Sequence, residues 1–250
     1  MPAILEVDNV SKSFGGVRAV DGASFQLMTS GIYGLIGPNG AGKTTLFDVI
    51  CGRQFADAGD IRLAGARIDR LRVHQRARLG LSRTFQECRV LEEETCLDNV
   101  LFAAQDKRLH REFKQTISRR TRARRVLIDE AEHLLDMVDL RRFAAEPAGN
   151  LSFGQRRLLE IVSTLMARPR LLLLDEPASG INPTLLNVLH GLLRRIFAER
   201  QIVLLIVEHN MEFIMSLASH ILVMHQGRVL EEGSPAAIQA NPRVIEAYLG

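Results

Sequence analysis

The stretch Gly37-Pro-Asn-Gly-Ala-Gly-Lys-Thr-Thr45 decides how the rest of the chain is read. Gly37 and Gly42 frame a loop whose backbone N–H groups turn inward to cradle phosphate oxygens, a geometry that β-carbons would obstruct. Pro38, Asn39, Gly40 and Ala41 lie between them, and Lys43, Thr44 and Thr45 follow. The apolar run Ile32-Tyr-Gly-Leu-Ile36 leads in as a buried strand, and Thr44 to Ile50 leads out with helical spacing at Leu46 and Ile50, closed by Gly52. Strand, glycine-rich loop and helix in that order are the context that a phosphate-binding loop requires.

The bulk numbers fit one large domain, or a core with a subdomain. A chain of 250 residues with 46% hydrophobic content can bury a sizeable interior, so disorder is not expected. A formal charge of +3 permits an anionic ligand or a membrane surface but is too small to argue for nucleic acid. Cys51, Cys88 and Cys96 form no CxxC pair, and their odd number points to a reducing compartment. The start, Met1-Pro-Ala-Ile-Leu-Glu-Val-Asp8, lacks a basic leader, so no secretory signal is expected. The apolar run Ile202 to Val207 is far shorter than the ~20 residues of a membrane-spanning helix.

Working outward from the loop, the preceding residues read as short antiparallel strands, Ile4–Val7, Val17–Val20 and Ala23–Leu27, punctuated by Gly15-Gly16, Gly22 and Gly31. Phe14 sits at the first turn, where its ring can stack on a nucleotide base; spacing alone favours a turn aromatic packed on the core. After the loop helix come a hairpin arm at Gly59 to Gly65, an arginine-rich helix ended by Gly80, and a strand Leu81–Phe85 that delivers Gln86. From about 87 to 148 strand signals vanish and the composition turns to Arg, Glu and helix formers, which marks a helical subdomain. Thr95 with Asp98 resembles a helix start, and Leu127, Ala131, Leu134 and Val138 form one apolar helix face. The basic run Arg119 to Arg125 reads as a solvated helix face, because no aromatics interleave it to stack on bases.

Leu151-Ser-Phe-Gly-Gln155 opens the next helix, with Asn150 or Ser152 as the cap, and such a terminus offers backbone N–H groups to an anion or simply to water. Leu171-Leu-Leu-Leu-Asp175-Glu176 is an apolar run that ends in two carboxylates, the pattern of a buried parallel strand whose tip faces a crevice. Burying charge is costly unless it coordinates a cation or pairs, so a task for these acids is favoured over a plain strand exit. Asn182-Pro183 starts a helix to about Arg200, and Gln201–Val207 is a second buried strand, ending in Glu208-His209. Apolar strands alternating with helices predict an α/β fold with a parallel sheet covered on its faces. A hairpin around Gln226-Gly227 and two short helices at Ser234-Pro235 and Asn241-Pro242 close the chain.

These pieces converge on a nucleoside triphosphate. Lys43 supplies charge to the β- and γ-phosphates, while the Thr44 hydroxyl and Asp175 are suited to hold Mg²⁺. Glu176, beside Asp175, is the best placed carboxylate to orient or deprotonate an attacking water, and His209, at the next strand tip, is placed to meet the γ-phosphate. The loop alone does not complete a cage around that phosphate.

The succession of P-loop, Gln86, Leu151-Ser-Phe-Gly-Gln155, Asp175-Glu176 and His209 resembles the nucleotide-binding subunit of an ATP-binding cassette (ABC) transporter, along essentially the whole chain. The resemblance implies a P-loop core over 1–86 and 149–250 with an antiparallel β-arm, and a helical subdomain over about 87–148. It makes Phe14 the adenine-stacking aromatic, Gln86 a switch residue near Mg²⁺ and the membrane partner, and Ser152, Gly154 and Gln155 the signature segment. That segment would close over the ATP of a second subunit, identical or paralogous, in a head-to-tail dimer. Phe153 stands where the commonest signature has a second Gly, and Asn182 where Asp is usual. Both, with Gly180-Ile-Asn-Pro183 and the ending Asn241 to Gly250, are similar to the branch serving branched-chain amino-acid importers.

This branch implies two permease subunits, indirectly a solute-binding protein, no nucleic acid, and a peripheral position on the cytoplasmic face of the plasma membrane. Urea or amide importers and lipopolysaccharide exporters are near neighbours in pattern. A soluble ABC ATPase acting on nucleic acid or ribosomes usually carries two cassettes or a long coiled coil, and this chain has neither.

Overall fold

The structure is a computed structural model that describes residues 2–84, 90–112 and 117–249, apart from the side chains at 105–123 and 249. The chain divides into two compact units, residues 1–83, 170–177 and 194–250 in the first and residues 84–169 and 178–193 in the second.

The first unit contains two sheets. Strands β1 (Ala3–Phe14) and β2 (Val17–Met28) pair antiparallel, and β4 (Ala58–Leu63) and β5 (Ala66–Arg67) extend this sheet to the order β2-β1-β4-β5. Where three short strands were expected there are two long ones. Gly22, at φ 68°, lies where the register shifts between the Val10–Ala23 and Lys12–Val20 pairs, so it makes a bulge instead of a turn. The turn itself is Gly15-Gly16, with φ of 51° and 88°, the left-handed pair that a two-residue hairpin of matching twist needs.

The second sheet has the order β10-β9-β3-β8-β7-β6. Its central strands β3 (Ile32–Ile36), β7 (Leu171–Asp175) and β8 (Val203–Val207) are buried at every residue and run parallel, as their unbroken apolar character predicts. β6 (Leu81–Arg83) and β9 (His220–His225) flank them in parallel, and β10 (Arg228–Gly233) returns antiparallel to β9.

Helix α1 (Lys43–Cys51) lies in one core with both sheets: Leu46, Phe47, Val49 and Ile50 share a single apolar cluster with Leu5, Val7 and Leu27 of the antiparallel sheet and Leu171, Leu173 and Leu205 of the parallel one. Burying a side chain of this size stabilises by about 1.5–3 kcal/mol. On the opposite face, a β-carbon at Gly34 would fall 2.7 Å from Ile214 in α7 (Met211–Leu217), so the glycine admits that helix against β3. Helix α2 (Val73–Arg78) precedes β6, and α8 (Pro235–Gln239) and α9 (Pro242–Leu249) follow β10.

The second unit is helical, but it reaches further than the composition of 87–148 suggested. It holds α3 (Cys96–Glu112), α4 (Ile117–Asp136), α5 (Phe153–Leu165) and the first part of α6 (Pro183–Arg200). Thr95 caps α3, its hydroxyl accepting from the Asp98 amide at 3.0 Å; of the expected apolar face Ala131 and Leu134 are buried, Leu127 is half-buried, and Val138, buried too, lies past the end of α4. The backbone of 119–125 is helical, within α4.

Candidate functional site

Strand register gathers the site at one edge of the parallel sheet. Leu35 on β3 and Asp175 on β7 both pair with Val207 on β8, so the P-loop, the Asp175-Glu176 step and Glu208-His209 leave their strands at one level. This is the carboxyl edge, where ligands of open α/β sheets bind.

The P-loop is held from behind. A β-carbon at Gly37 would fall 2.1 Å from the Met224 carbonyl oxygen, and one at Gly42 the same distance from that of Ala19, so neither position admits a side chain. Gly40, at φ 80°, faces open space instead, and the cradle it helps to form is unobstructed. The β9–β10 turn latches the loop: the Gly227 amide donates to the Ala41 carbonyl at 3.0 Å, and Arg228 clasps Asp21 through two nitrogens. Pro38 is half-buried, Asn39 and Gly40 are exposed, and on the first turn of α1 Thr44 is exposed and Thr45 half-buried.

Lys43 is buried, and its ammonium donates to the carbonyls of Gly37 at 2.7 Å and Pro38 at 3.0 Å. Burial lowers its pKa, and the charges of Glu176 and Asp175 oppose that shift. The ammonium thus rests on carbonyl oxygens in a site that would welcome a phosphate.

Asp175 is fully buried and Glu176 partly so. Glu176 adopts φ 46°, a left-handed conformation that costs an ordinary residue of order 1–3 kcal/mol, and its amide donates to the Val207 carbonyl at 2.9 Å. The turn aims the Glu176 carboxylate at the next strand tip, where His209 Nε2 donates to Oε1 at 2.9 Å. Glu208 in turn accepts from the backbone amides of His209 and Asn210 at 3.1 and 3.3 Å, fixing the start of α7.

Phe14 is 46% exposed, which sets aside a core role for its ring and leaves a face available for stacking. Lys12 Nζ lies 5.3 Å from the ring centroid. Gln86 lies outside the described residues, as does Cys88.

The signature residues belong to the second unit. Ser152 is the N-cap of α5 in a reciprocal capping box: its hydroxyl accepts from the Gln155 amide at 3.4 Å, and the Gln155 side chain accepts from the Ser152 amide at 3.0 Å. Ser152 is exposed and retains its hydroxyl proton for a further acceptor. Gly154 is buried, a β-carbon there falling 2.8 Å from Leu185, and Phe153 is 47% exposed with its ring over Gly180. Asn182 caps α6 through Oδ1, which accepts from the Leu185 amide at 3.0 Å. That task suits Asn or Asp equally.

Three residues had no sequence signal. Arg76, fully buried, donates to the Val49 and Ile50 carbonyls at the end of α1 and to those of Leu71 and Asp69, and burial lowers its pKa. Arg83 reaches Asp175 and Asp48. Burial works against its charge, but Cys51, Asp48 and Asp175 outweigh it and raise its pKa. Tyr248, on the last turn of α9, keeps 40% of its surface exposed while its hydroxyl meets the Gly37 backbone at the start of the P-loop. Burial pushes this phenol up to about 12, with a backbone hydrogen bond from Gly37 opposing the shift.

A P-loop beside a buried Asp-Glu strand tip and a histidine, with a separate helical unit carrying a capped Ser-x-Gly-Gln start, defines a nucleotide-binding cassette. The chain belongs to the ABC transporter ATP-binding family, whose model matches residues 20–179, and residues 228–250 match a model described as a branched-chain amino acid ATP-binding cassette transporter. It is 41% identical to the high-affinity branched-chain amino acid transport ATP-binding protein BraF of Pseudomonas aeruginosa, over 99% of this chain and 98% of that protein. Against LivG of Escherichia coli K12, of the same description, identity is 37% with the same coverage. The ADP conformation of MJ1267, an ATP-binding cassette of an ABC transporter, superposes with a TM-score of 0.84 at 29% identity, each chain fully covered. The protein is accordingly an ATP-binding, ATP-hydrolysing transporter subunit. Among the described residues no helix is long and apolar enough to cross a membrane.

Proposed function

We propose that this chain hydrolyses ATP to energise import of branched-chain or related amino acids, as one of two cassettes beneath a pair of membrane permeases. The observation that carries the catalytic part is Glu176, turned by its left-handed backbone toward His209 Nε2 at 2.9 Å, on the sheet edge that also presents Lys43 and Asp175. The C-terminal match at 228–250 favours the branched-chain branch over urea, amide or lipopolysaccharide systems.

In this reading Phe14 stacks on the adenine and the amides of Gly37 to Thr45 hold the β- and γ-phosphates. Lys43 exchanges its carbonyl partners for phosphate oxygens. A hydroxyl, Thr44, and a buried carboxylate, Asp175, are hard oxygen donors of the kind Mg²⁺ takes when phosphates and waters complete its shell. When bound, Mg²⁺ neutralises charge on the β- and γ-phosphate oxygens. Glu176 orients the attacking water and takes its proton, while His209 steadies Oε1 and meets the γ-phosphate.

Ser152, Gly154 and Gln155 close the cage over the ATP of the second subunit, which is the affinity difference that drives assembly and, after hydrolysis, release. A peripheral position at the cytoplasmic face, reached through the permeases and served by a solute-binding protein, completes the assembly.

Replacing Glu176 by Gln tests the assignment. The base is lost but the shape is kept, so the hydrolysis rate should fall about 10²–10⁴-fold. ATP binding should persist, and an ATP-stabilised dimer should appear on size exclusion. Wild-type turnover in Glu176→Gln would remove Glu176 from the mechanism.

A further inference from the structure

Arg83 is the last residue of the first unit before the chain enters the second at Thr84. Its side chain is 6% exposed and turns back into its own unit. Nη2 donates to Oδ2 of Asp175 at 2.7 Å and Nη1 donates to Oδ1 of Asp48 at 2.5 Å. Nη1 also lies 3.4 Å from Cys51 Sγ, and the guanidinium sits 5.6 Å from the Phe47 ring centroid. Phe47, Asp48 and Cys51 are all on α1, the helix whose first turn carries Lys43 and Thr44. One planar fork thus ties the helix that follows the P-loop to the tip of β7.

We infer that Arg83 is a positioning residue that fixes the Asp175 carboxylate relative to the first turn of α1, so that Asp175 and Thr44 are presented together to a divalent cation. The inference rests on the reading of Asp175 as the metal-holding carboxylate. Asp175 is fully buried, and a buried carboxylate without a fixed donor has no reason to hold one orientation. A guanidinium can serve two carboxylates at once because its donors are splayed in a rigid plane, whereas a lysine offers one compact charge. Partners that orient a metal-binding side chain typically change metal affinity 10–100-fold when removed. A merely structural ion pair would weaken folding and every ligand alike.

The test uses the full chain with a non-hydrolysable ATP analogue. Analogue affinity is measured in EDTA, and Mn²⁺ affinity of the analogue-saturated protein is measured by electron paramagnetic resonance. For Arg83→Met we expect analogue affinity in EDTA within about twofold of wild type and Mn²⁺ binding roughly tenfold weaker. Arg83→Lys should recover part of that loss, Asp48→Asn should lose less than Arg83→Met, and Asp175→Asn should lose at least as much.

Wild-type Mn²⁺ affinity in Arg83→Met, with Asp175→Asn weakened, overturns the role of Arg83 alone. An equal loss with and without metal overturns it as well, by making the contact structural. Wild-type Mn²⁺ affinity in Asp175→Asn overturns the metal reading beneath it. Should Arg83→Met fail to fold, Arg83→Lys decides, because it keeps the charge and removes the fork: weakened Mn²⁺ binding supports the inference and wild-type binding overturns it.

Discussion

The P-loop and the signature segment are both glycine-bearing helix starts, yet their surroundings differ. At the start of α1 the cation is buried, Gly37 and Gly42 are braced by the carbonyls of Met224 and Ala19, and Lys43, Asp175, Glu176 and His209 belong to one unit. At the start of α5 Ser152 is exposed and Gln155 half-buried, and the two side chains cap each other's backbone amides. A site that must hold charge in a fixed geometry is built into a core. A surface that must close on something else caps itself and waits. The contrast is what a composite site between two chains would look like from one of them.

The most severe way to break this comparison is to separate its two halves genetically. Lys43→Ala removes the buried ammonium proposed to meet the phosphates, and Ser152→Ala the hydroxyl proposed for the opposite half-site, so each alone should reduce ATPase activity to near background. If the halves meet head to tail, mixing the two variants collects both defects in one composite site and leaves the other intact. Activity should then rise well above that of either parent when the proteins are combined. A mixture no more active than its parts would mean that each chain completes its own site.

A smaller effect probes how far the bracing of the P-loop side extends. Arg76 satisfies the Val49 and Ile50 carbonyls at the far end of α1, where a helix leaves its last carbonyls without intrahelical partners. Arg76→Met should cost about 3 kcal/mol, since it removes a charged donor shared by several buried carbonyls; Val49 keeps only the Gly52 amide at 3.3 Å, and a buried carbonyl left unpaired loses about 1–3 kcal/mol. In thermal denaturation this is a fall of roughly 6–12 °C for a chain of this size. A melting temperature within about 2 °C of wild type would show that other donors or water serve these carbonyls.

Arg76 also shows where the sequence stops being readable. The P-loop, the Asp175-Glu176 tip and the caps Thr95, Ser152, Asn182 and Ser234 were legible because each is a local pattern whose spacing states its geometry. Arg76 and Arg83 looked like two more arginines in a chain with 32 lysines and arginines, because their partners lie 27 and 92 residues away. Gly22 was read as punctuation between strands, because sequence spacing cannot tell a bulge from a turn. Tyr248 is eleven positions beyond α8's Ala237 and reaches back to Gly37, a contact set by the path of α8 and α9 over the sheet. The helical unit was marked by composition at 87–148, whereas α5 and the start of α6 join it through packing that composition does not record.

The finest test compares two caps within the second unit. Ser152 and Asn182 each accept a backbone amide at the start of a helix, at 3.4 and 3.0 Å, and each is exposed to solvent. Removing either cap by alanine should cost a similar ~1 kcal/mol of stability. Ser152 alone is assigned a second acceptor, the γ-phosphate of the facing subunit. Ser152→Ala should therefore depress ATPase activity and ATP-driven dimerisation far beyond its effect on melting, whereas Asn182→Ala should move melting alone and Asn182→Asp neither. Equal melting shifts with unequal turnover would separate the cap from the contact. Equal losses of turnover in both alanine variants would reduce Ser152 to a helix start like any other, and the comparison between the two glycine-bearing loops would then lose its functional side.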